Sequence, residues 1–208
     1  VQQARTTTEL QDQLMRTRML PLDQHGSRPA RLVRQTAKDQ GKLAELSIVG
    51  SGDLDRQVLE KMLPPFEHML RNAVIHGLES PAEREVMGKP PAGSIRIAIR
   101  REGAEVVIDI ADDGRGLDVL AIRRKAVELG FIGKDALLTD EEAMQFILRS
   151  GFSTADQLTQ AAGRGIGMDV VANQVAKLGG TLSIASQRGK GTTFTLRLPF
   201  TLAVTQAL

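Results

Sequence analysis

The sequence predicts an α+β fold, and three observations predict it. Apolar residues alternate with a period of two around residues 44–49, 95–99, 106–111, 182–184 and 194–198, marking five strands. Apolar stripes of helical period lie before, between and after those segments. Glu102-Gly103 and Arg188-Gly189-Lys190-Gly191 then supply tight turns between neighbouring strands, the first closing a β-hairpin.

Taken in order, residues 8–20 carry Leu10, Leu14, Met15 and Met19 as a helical stripe with little around it to bury it. A connector follows over residues 21–27. Ser27 then offers an N-cap, with Pro29 in the first turn of a helix that holds Leu32, Val33 and Ala37 and closes at Gly41. Ala44, Leu46 and Ile48 form the first strand, ended by Gly50-Ser51-Gly52. A long helix starts at Asp55, its stripe comprising Leu59, Met62, Leu63, Phe66, Met69, Leu70, Ala73 and Val74. Pro64 and Pro65 are expected to kink it or reset its start, because neither donates an amide hydrogen. Residues 81–93 read as a loop or broken helix. After the hairpin, residues 118–129 read as a helix ended by Gly130. Thr139 and Glu142 form a capping box for a helix over 141–149. Residues 151–165 lack apolar periodicity and read as mobile. A last helix over 169–178 turns Val170, Val171, Val175 and Leu178 inward, and Pro199 ends the final strand.

Bulk properties limit what such a chain does. At 208 residues there is room for one substantial domain and a small appendage. Twenty-seven basic against 25 acidic residues leave a net charge of +2, which does not argue for a nucleic-acid or membrane-surface partner. The absence of cysteine excludes disulfides and thiolate metal sites. No apolar run is long enough to span a bilayer, and the first residues are not a secretory signal, so a cytoplasmic protein or a piece of one is expected. Trp and Tyr, the usual aromatic anchors of large interfaces, are absent.

Three constellations carry chemistry. In Ile108-Asp109-Ile110-Ala111-Asp112-Asp113-Gly114-Arg115-Gly116-Leu117, the parity of Val106, Ile108 and Ile110 also turns Asp112 inward. A buried carboxylate needs a donor, and the amino group of an adenine is one; Asp-Gly pairs also simply begin turns. His68, Asn72 and His76 form a column at i, i+4 and i+8 on the long helix, suited either to a phosphate or metal site or to a solvated polar edge. Gly163, Gly165 and Gly167 open the last helix, where free amides suit an anion. A polar loop precedes these glycines in place of a strand, which excludes a dinucleotide fingerprint. Thr192 shares parity with Phe194, so its hydroxyl is placed to reach the layer of Asp112.

Five segments, in this order and spacing, resemble the ATP-binding domain of histidine kinases. His68-Met69-Leu70-Arg71-Asn72-Ala73-Val74-Ile75-His76-Gly77 is similar to the N box, and Asp112-Asp113-Gly114-Arg115-Gly116 to the first glycine box. Gly151-Phe152-Ser153-Thr154-Ala155 is similar to the phenylalanine box, Gly163 to Val171 to the second glycine box, and Gly189-Lys190-Gly191-Thr192-Thr193-Phe194 to the closing Gly-Thr motif. The phrases Arg-Asn-Ala, Gly-Phe-Ser-Thr-Ala and Gly-Met-Asp-Val-Val resemble the CheA-type kinases of chemotaxis and pilus control. Two departures stand out: Ile75 replaces the acid before the second histidine, and Pro64-Pro65 replaces an Asp-Pro pair.

The resemblance implies an α/β sandwich of the Bergerat type, a mixed and largely antiparallel sheet of about five strands under one layer of helices. It implies a remnant of the helical dimerisation region over 1–23, the catalytic domain over 24–200, and a linker to a coupling domain over 201–208. It implies ATP and Mg²⁺ as ligands, with Asp112 accepting from adenine, Thr192 supporting it and Gly114 and Gly116 admitting the base. Asn72 then ligates Mg²⁺; His68 and His76 act beside it; Arg71, Lys125, Gly163, Gly165 and Gly167 bind nucleotide or form its lid. The implied partners are a histidine-phosphotransfer domain of the same parent, a response regulator, and a coupling protein and chemoreceptor reached through other domains, with the fragment monomeric and the parent dimeric. None of His25, His68 or His76 lies in an acceptor helix, so the fragment alone is expected to turn ATP over poorly. Two rival readings are an ATP hydrolase of the gyrase, Hsp90 or MutL kind, which has a glutamate where His68 stands, and a nucleotide-dependent docking module without catalysis.

Overall fold

The computed structural model describes residues 19–22, 26–152 and 167–199. Its elements run β1 (Met19–Pro21), α1 (Ser27–Asp39), β2 (Ala44–Gly50), β3 (Asp53–Asp55), α2 (Arg56–Asn72) and a π-helical turn (Ala73–Gly77). They continue with α3 (Pro81–Val86), β4 (Gly93–Glu102), β5 (Glu105–Asp112), α4 (Val119–Glu128), and α5 (Asp140–Met144) extended by a 3-10 turn (Gln145–Leu148). The last three are α6 (Met168–Lys177), β6 (Thr181–Gln187) and β7 (Gly191–Pro199).

One five-stranded sheet has the order β2-β4-β5-β7-β6. Only β2 and β4 pair in parallel; the other three pairings are antiparallel, so the expected mixed sheet is found. Its inner face presents Ile95, Ile97 and Ile99, then Val106, Ile108 and Ile110, then Leu196 and Leu198. Against them pack Val33 and Ala37 of α1, Leu59, Met62, Met69 and Leu70 of α2, and Val171 and Val175 of α6. The outer face has no helices among the described residues and is closed by charge instead. Arg100 and Arg197 flank Val107 on the neighbouring strands, and Val107 is fully buried beneath their stems. Arg100 pairs with Asp109 and with Glu102, Arg197 with Glu102 and Glu105, and Thr195 donates to Asp109 at 2.6 Å.

Several local expectations are corrected. Met19 and Leu20 are strand, not helix, because Leu20 pairs with the buried Leu54 and the Leu22 amide donates to the Gly52 carbonyl at 3.0 Å. The rest of the stripe over 8–18 lies outside the described residues. Ser27 is not the cap of α1: the first helical bond runs from the Ala30 amide to the Gly26 carbonyl, so Gly26 is the N-cap. Pro64 and Pro65 do not break α2. The carbonyls their missing amides leave open belong to the exposed residues Glu60 and Lys61, while Pro65 joins the buried stripe of Val58, Leu59, Met62, Met69 and Leu70. Residues 81–86 are a helix because Ser80 and Glu83 form a capping box.

Thr139 and Glu142 form the expected capping box, yet the α-helix stops at Met144. The tighter 3-10 turn carries Phe146 toward Phe131 and Phe152, with ring centres 6.0 and 6.1 Å apart, in a second apolar cluster with Ile122 and Ala126. Val170 is 46% exposed; the inward face of α6 is Met168, Val171 and Val175, followed by Leu178. Met62 is fully buried at the centre of the α2 stripe, so Met62→Ala should lower stability by about 2–5 kcal/mol, read as a lower urea midpoint with an unchanged slope.

Candidate nucleotide site

The site is built where α2 ends against the end of β5. Asn72 is the last residue of α2, and its Nδ2 lies 3.0 Å from His68 Nε2. Since the amide nitrogen only donates, Nε2 is the unprotonated ring nitrogen in this contact, and the Asn72 oxygen faces away from it. Burial, then Arg71 and His76, lower the His68 pKa and favour that neutral form.

The column does not continue straight to His76. A π-turn closes hydrogen bonds one residue later than an α-turn, so residues 73–77 rotate His76 off the line through His68 and Asn72. The turn is held from outside the helix by Lys42, which follows α1. Its ammonium donates to the carbonyls of Val74 at 2.9 Å, Ile75 at 2.7 Å and Leu78 at 2.8 Å. Partial burial of the His76 ring, then the charges of Lys42 and Arg115, lower its pKa below the usual 6.5. With folded-state pKa values below 6.5, both imidazoles contribute stability at neutral pH that is lost as the pH falls through their folded values. Arg71 is drawn to Glu67 at 3.6 Å, and Glu67 also pairs with Arg28 at 2.7 Å.

Opposite this cationic edge stands Asp112. Its carboxylate accepts from the Gly114 amide at 2.9 Å and from the Thr192 backbone amide. Burial is the main reason its pKa rises from 3.8 to about 6; Gly114 and Thr192 pull it down, and Asp113 and Glu79 push it up. The folded state therefore favours the protonated acid: that contribution is complete below 3.8 and is lost as the pH rises through about 6. Holding it ionised at neutral pH costs the fold roughly 3 kcal/mol.

Glycines make this approach possible, in a different way from the one expected. A Cβ on Gly77 would stand 3.0 Å from Asp112 Oδ2. One on Gly114 would collide with the Gly77 carbonyl, and one on Gly191 with the Asp112 carbonyl. At Gly116 a Cβ would meet the Gln187 carbonyl at the end of β6, so this glycine also lets two backbone segments approach. The Thr192 hydroxyl likewise turns to Ser186 at 3.0 Å, so Thr192 serves Asp112 through its backbone. Ser186 also accepts from the Leu117 amide and donates to the Gly191 carbonyl, both at 2.9 Å.

The structure thus brings His68, Asn72, His76, Asp112, Gly114 and Thr192 to one end of the sheet. Lys125 lies on α4, its ammonium 5.3 Å over the Phe152 ring of the second cluster. Gly167 is the N-cap of α6, while Gly163 and Gly165 lie outside the described residues. Among the described residues no three of His, Asp or Glu gather to hold a metal ion. A Mg²⁺ bound mainly through phosphates and water needs only one or two hard oxygen donors from protein, and the Asn72 amide oxygen is such a donor.

Sequence reasoning missed Lys42, Ser186 and the ion-paired group of Glu79, Arg84 and Lys89. Lys42 follows a glycine helix stop, where a solvated lysine is the ordinary reading, and nothing local marks its 32-residue reach to Val74. Removing its ammonium leaves three carbonyls short of a donor. Lys42→Met should cost about 1–3 kcal/mol and speed amide hydrogen exchange selectively over residues 74–78.

Comparison with known proteins agrees with this geometry. Residues 63–202 match the family described as histidine kinase-, DNA gyrase B-, and HSP90-like ATPase. The chain is 42% identical to chemotaxis protein CheA of Rhizobium meliloti (strain 1021) over 199 residues, 95% of this chain and 26% of that protein. It is 43% identical to CheA of Treponema pallidum (strain Nichols) over 205 residues, 98% of this chain and 25% of that one. To the sensor histidine kinase CheAY of Helicobacter pylori (strain ATCC 700392 / 26695) it is 42% identical over 205 residues, covering 97% and 26%. The chain therefore spans about a quarter of the length of these curated relatives. Among solved structures, the mycobacterial sensor histidine kinase MprB superposes with a TM-score of 0.51 at 17% identity, covering 89% of this chain and 99% of that one. The blue-light activated histidine kinase EL346 of Erythrobacter litoralis gives 0.53 at 15% identity, covering 91% and 44%. At those identities the likeness concerns the fold, which is that of histidine-kinase catalytic domains. With the matched segment running from α2 through β7 and carrying the acid, amide and imidazoles of one cleft, the chain belongs to the histidine kinase-, DNA gyrase B- and HSP90-like ATPase family.

Proposed function

We propose that this chain is the ATP-binding catalytic domain of a CheA-type protein-histidine kinase, which binds Mg-ATP and passes the γ-phosphoryl group to a histidine on a separate phosphotransfer domain. The observation that carries this reading is the opposition of a desolvated acid to a cationic, imidazole-bearing helix end across Gly77. Asp112 lacks a cation among its described partners and accepts from two backbone amides; a purine amino group supplies the further donor it can use. Triphosphate oxygens then fall to the edge formed by His68, Arg71, Asn72, His76 and Arg115, where a neutral His68 keeps its contact with the Asn72 amide.

Mg²⁺, when bound, supplies charge neutralisation and alignment of the γ-phosphoryl group. The Asn72 oxygen is the donor this chain offers it, oriented by the His68 contact. His76 and Arg115 place positive charge beside the phosphates. In the transfer, the acceptor's ring nitrogen bonds to the γ-phosphorus while the bond to the β–γ bridging oxygen breaks, and ADP leaves with that electron pair. Glu67 weighs against the hydrolase reading: the nearest glutamate to the water-activating position is engaged by Arg28 and Arg71. With the chain spanning about a quarter of its relatives, the acceptor histidine, response regulator, coupling protein and receptor belong in this reading to other domains or proteins of a cytoplasmic pathway.

Three measurements test the reading. Asp112→Asn should weaken ATP binding by about 1.5–3 kcal/mol, or roughly ten- to a hundred-fold by calorimetry; unchanged affinity would remove Asp112 from the site. Adenosine, which lacks phosphates and so leaves the histidines out of account, should bind more weakly as the pH falls through about 6, because protonation removes the charged acceptor. That pH dependence should vanish in Asp112→Asn. Finally, the chain should transfer radiolabelled γ-phosphate to an added histidine-phosphotransfer domain while hydrolysing ATP slowly by itself; fast hydrolysis without transfer would favour the hydrolase.

A further inference from the structure

Arg84 and Glu79 are the most deeply buried charged side chains among the described residues, 0% and 1% exposed, and neither has a part in the contacts proposed above. With Lys89 and Asp113 they form a closed ionic group. Arg84 grips the Asp113 carboxylate with two nitrogens, at 3.1 and 2.8 Å, and reaches Glu79 at 2.9 Å and the Pro90 carbonyl at 2.6 Å. Lys89 bonds Glu79 at 2.7 Å and the carbonyls of Asp113 and Gly114, both at 2.9 Å. Asp113 is further fixed by its Oδ1 accepting from the Ser94 amide at 2.8 Å and its own amide donating to the Ser94 carbonyl at 3.1 Å.

The Asp113 and Gly114 amides and carbonyls on the C-terminal side of Asp112 are thus all held, and the Gly114 amide is the one that orients the Asp112 carboxylate. The group also joins the two halves of the cleft. Glu79 lies two residues beyond Gly77, whose carbonyl accepts from the Arg115 amide at 2.9 Å. Burying Glu79 and Arg84 is costly unless each is paired and geometrically fixed, as here by the partly exposed Lys89 and Asp113, and such a group returns little net stability relative to an apolar replacement. What it does provide is a rigid setting for the carboxylate beside it.

We propose that Lys89, acting with Arg84, Glu79 and Asp113, is a positioning residue that holds the Asp112–Gly114 segment so that the carboxylate meets a 6-amino purine and rejects a 6-oxo purine. This rests on the ATP reading above. Lys89 touches the loop through backbone carbonyls and not through Asp112 itself, so it acts on base selection rather than on the triphosphate.

The test compares ATP with ITP, each with Mg²⁺, by calorimetry on this chain. Wild type should prefer ATP by more than about tenfold. Lys89→Met should weaken ATP about tenfold and ITP less than twofold, compressing the preference, and should speed exchange of the Gly114 amide. Lys89→Arg should restore most of the preference. Glu79→Gln, which keeps the shape and halves the counter-charge, serves if Lys89→Met loses its cooperative thermal transition; it too should compress the ratio. Equal loss for both nucleotides, or an unchanged ratio in a folded variant, overturns the positioning role, as does a wild type without preference between the two. A wild type that binds neither nucleotide overturns instead the ATP reading on which it rests.

Discussion

A carboxylate held against backbone, with amides as its only described donors, is the constraint around which this structure is arranged. Asp112 sits at the end of the central strand β5, facing Gly77 so closely that a Cβ there would stand 3.0 Å from its Oδ2. Every glycine that the close approach requires, at 77, 114 and 191, is present, and the neighbouring serine, threonine and ion-paired residues fix the peptide units on either side. An acid left in that state is unfavourable to the fold and receptive to a donor. The same desolvation that raises its pKa makes a hydrogen bond to it worth more when a ligand provides one.

The opposite wall is made differently. Charge there is carried by Lys42, Arg115 and Arg71, beside two imidazoles whose pKa values burial lowers. Both walls hang on the stretch from Asn72 to Glu79, which carries the amide at one end and the ionic anchor of the acid's loop at the other. The sheet beneath supplies a flat, apolar floor on its inner face and keeps its outer face closed by paired charges over Val107. One layer of helices therefore suffices.

Much of this was written in local pattern. Alternation at Ile95 to Ile99 and Val106 to Ile110 marked the central strands, and the parity of the latter placed Asp112; helical spacing joined His68 to Asn72. Legibility ended where distant segments meet. The three carbonyl bonds of Lys42 depend on a π-turn that has no period of its own to read, and the pairing of Arg84 with Asp113 spans 29 positions. Pro64 and Pro65 misled because their effect on α2 depends on which carbonyls they leave open, and those belong to exposed residues. Gly116 and Thr192 were found for their spacing, yet they act on protein backbone and on Ser186, which only the folded turn between β6 and β7 reveals.

The π-turn also gives the helix one residue more than a regular spiral of its length would hold. A sequence that kept every residue but closed this stretch as a regular α-helix would swing everything beyond it by about 100°. Gly77 would leave the acid, an imidazole would join the line of His68 and Asn72, and the ammonium now spent on three carbonyls would be released into the cleft. The irregularity is the joint that sets how far apart the two walls stand.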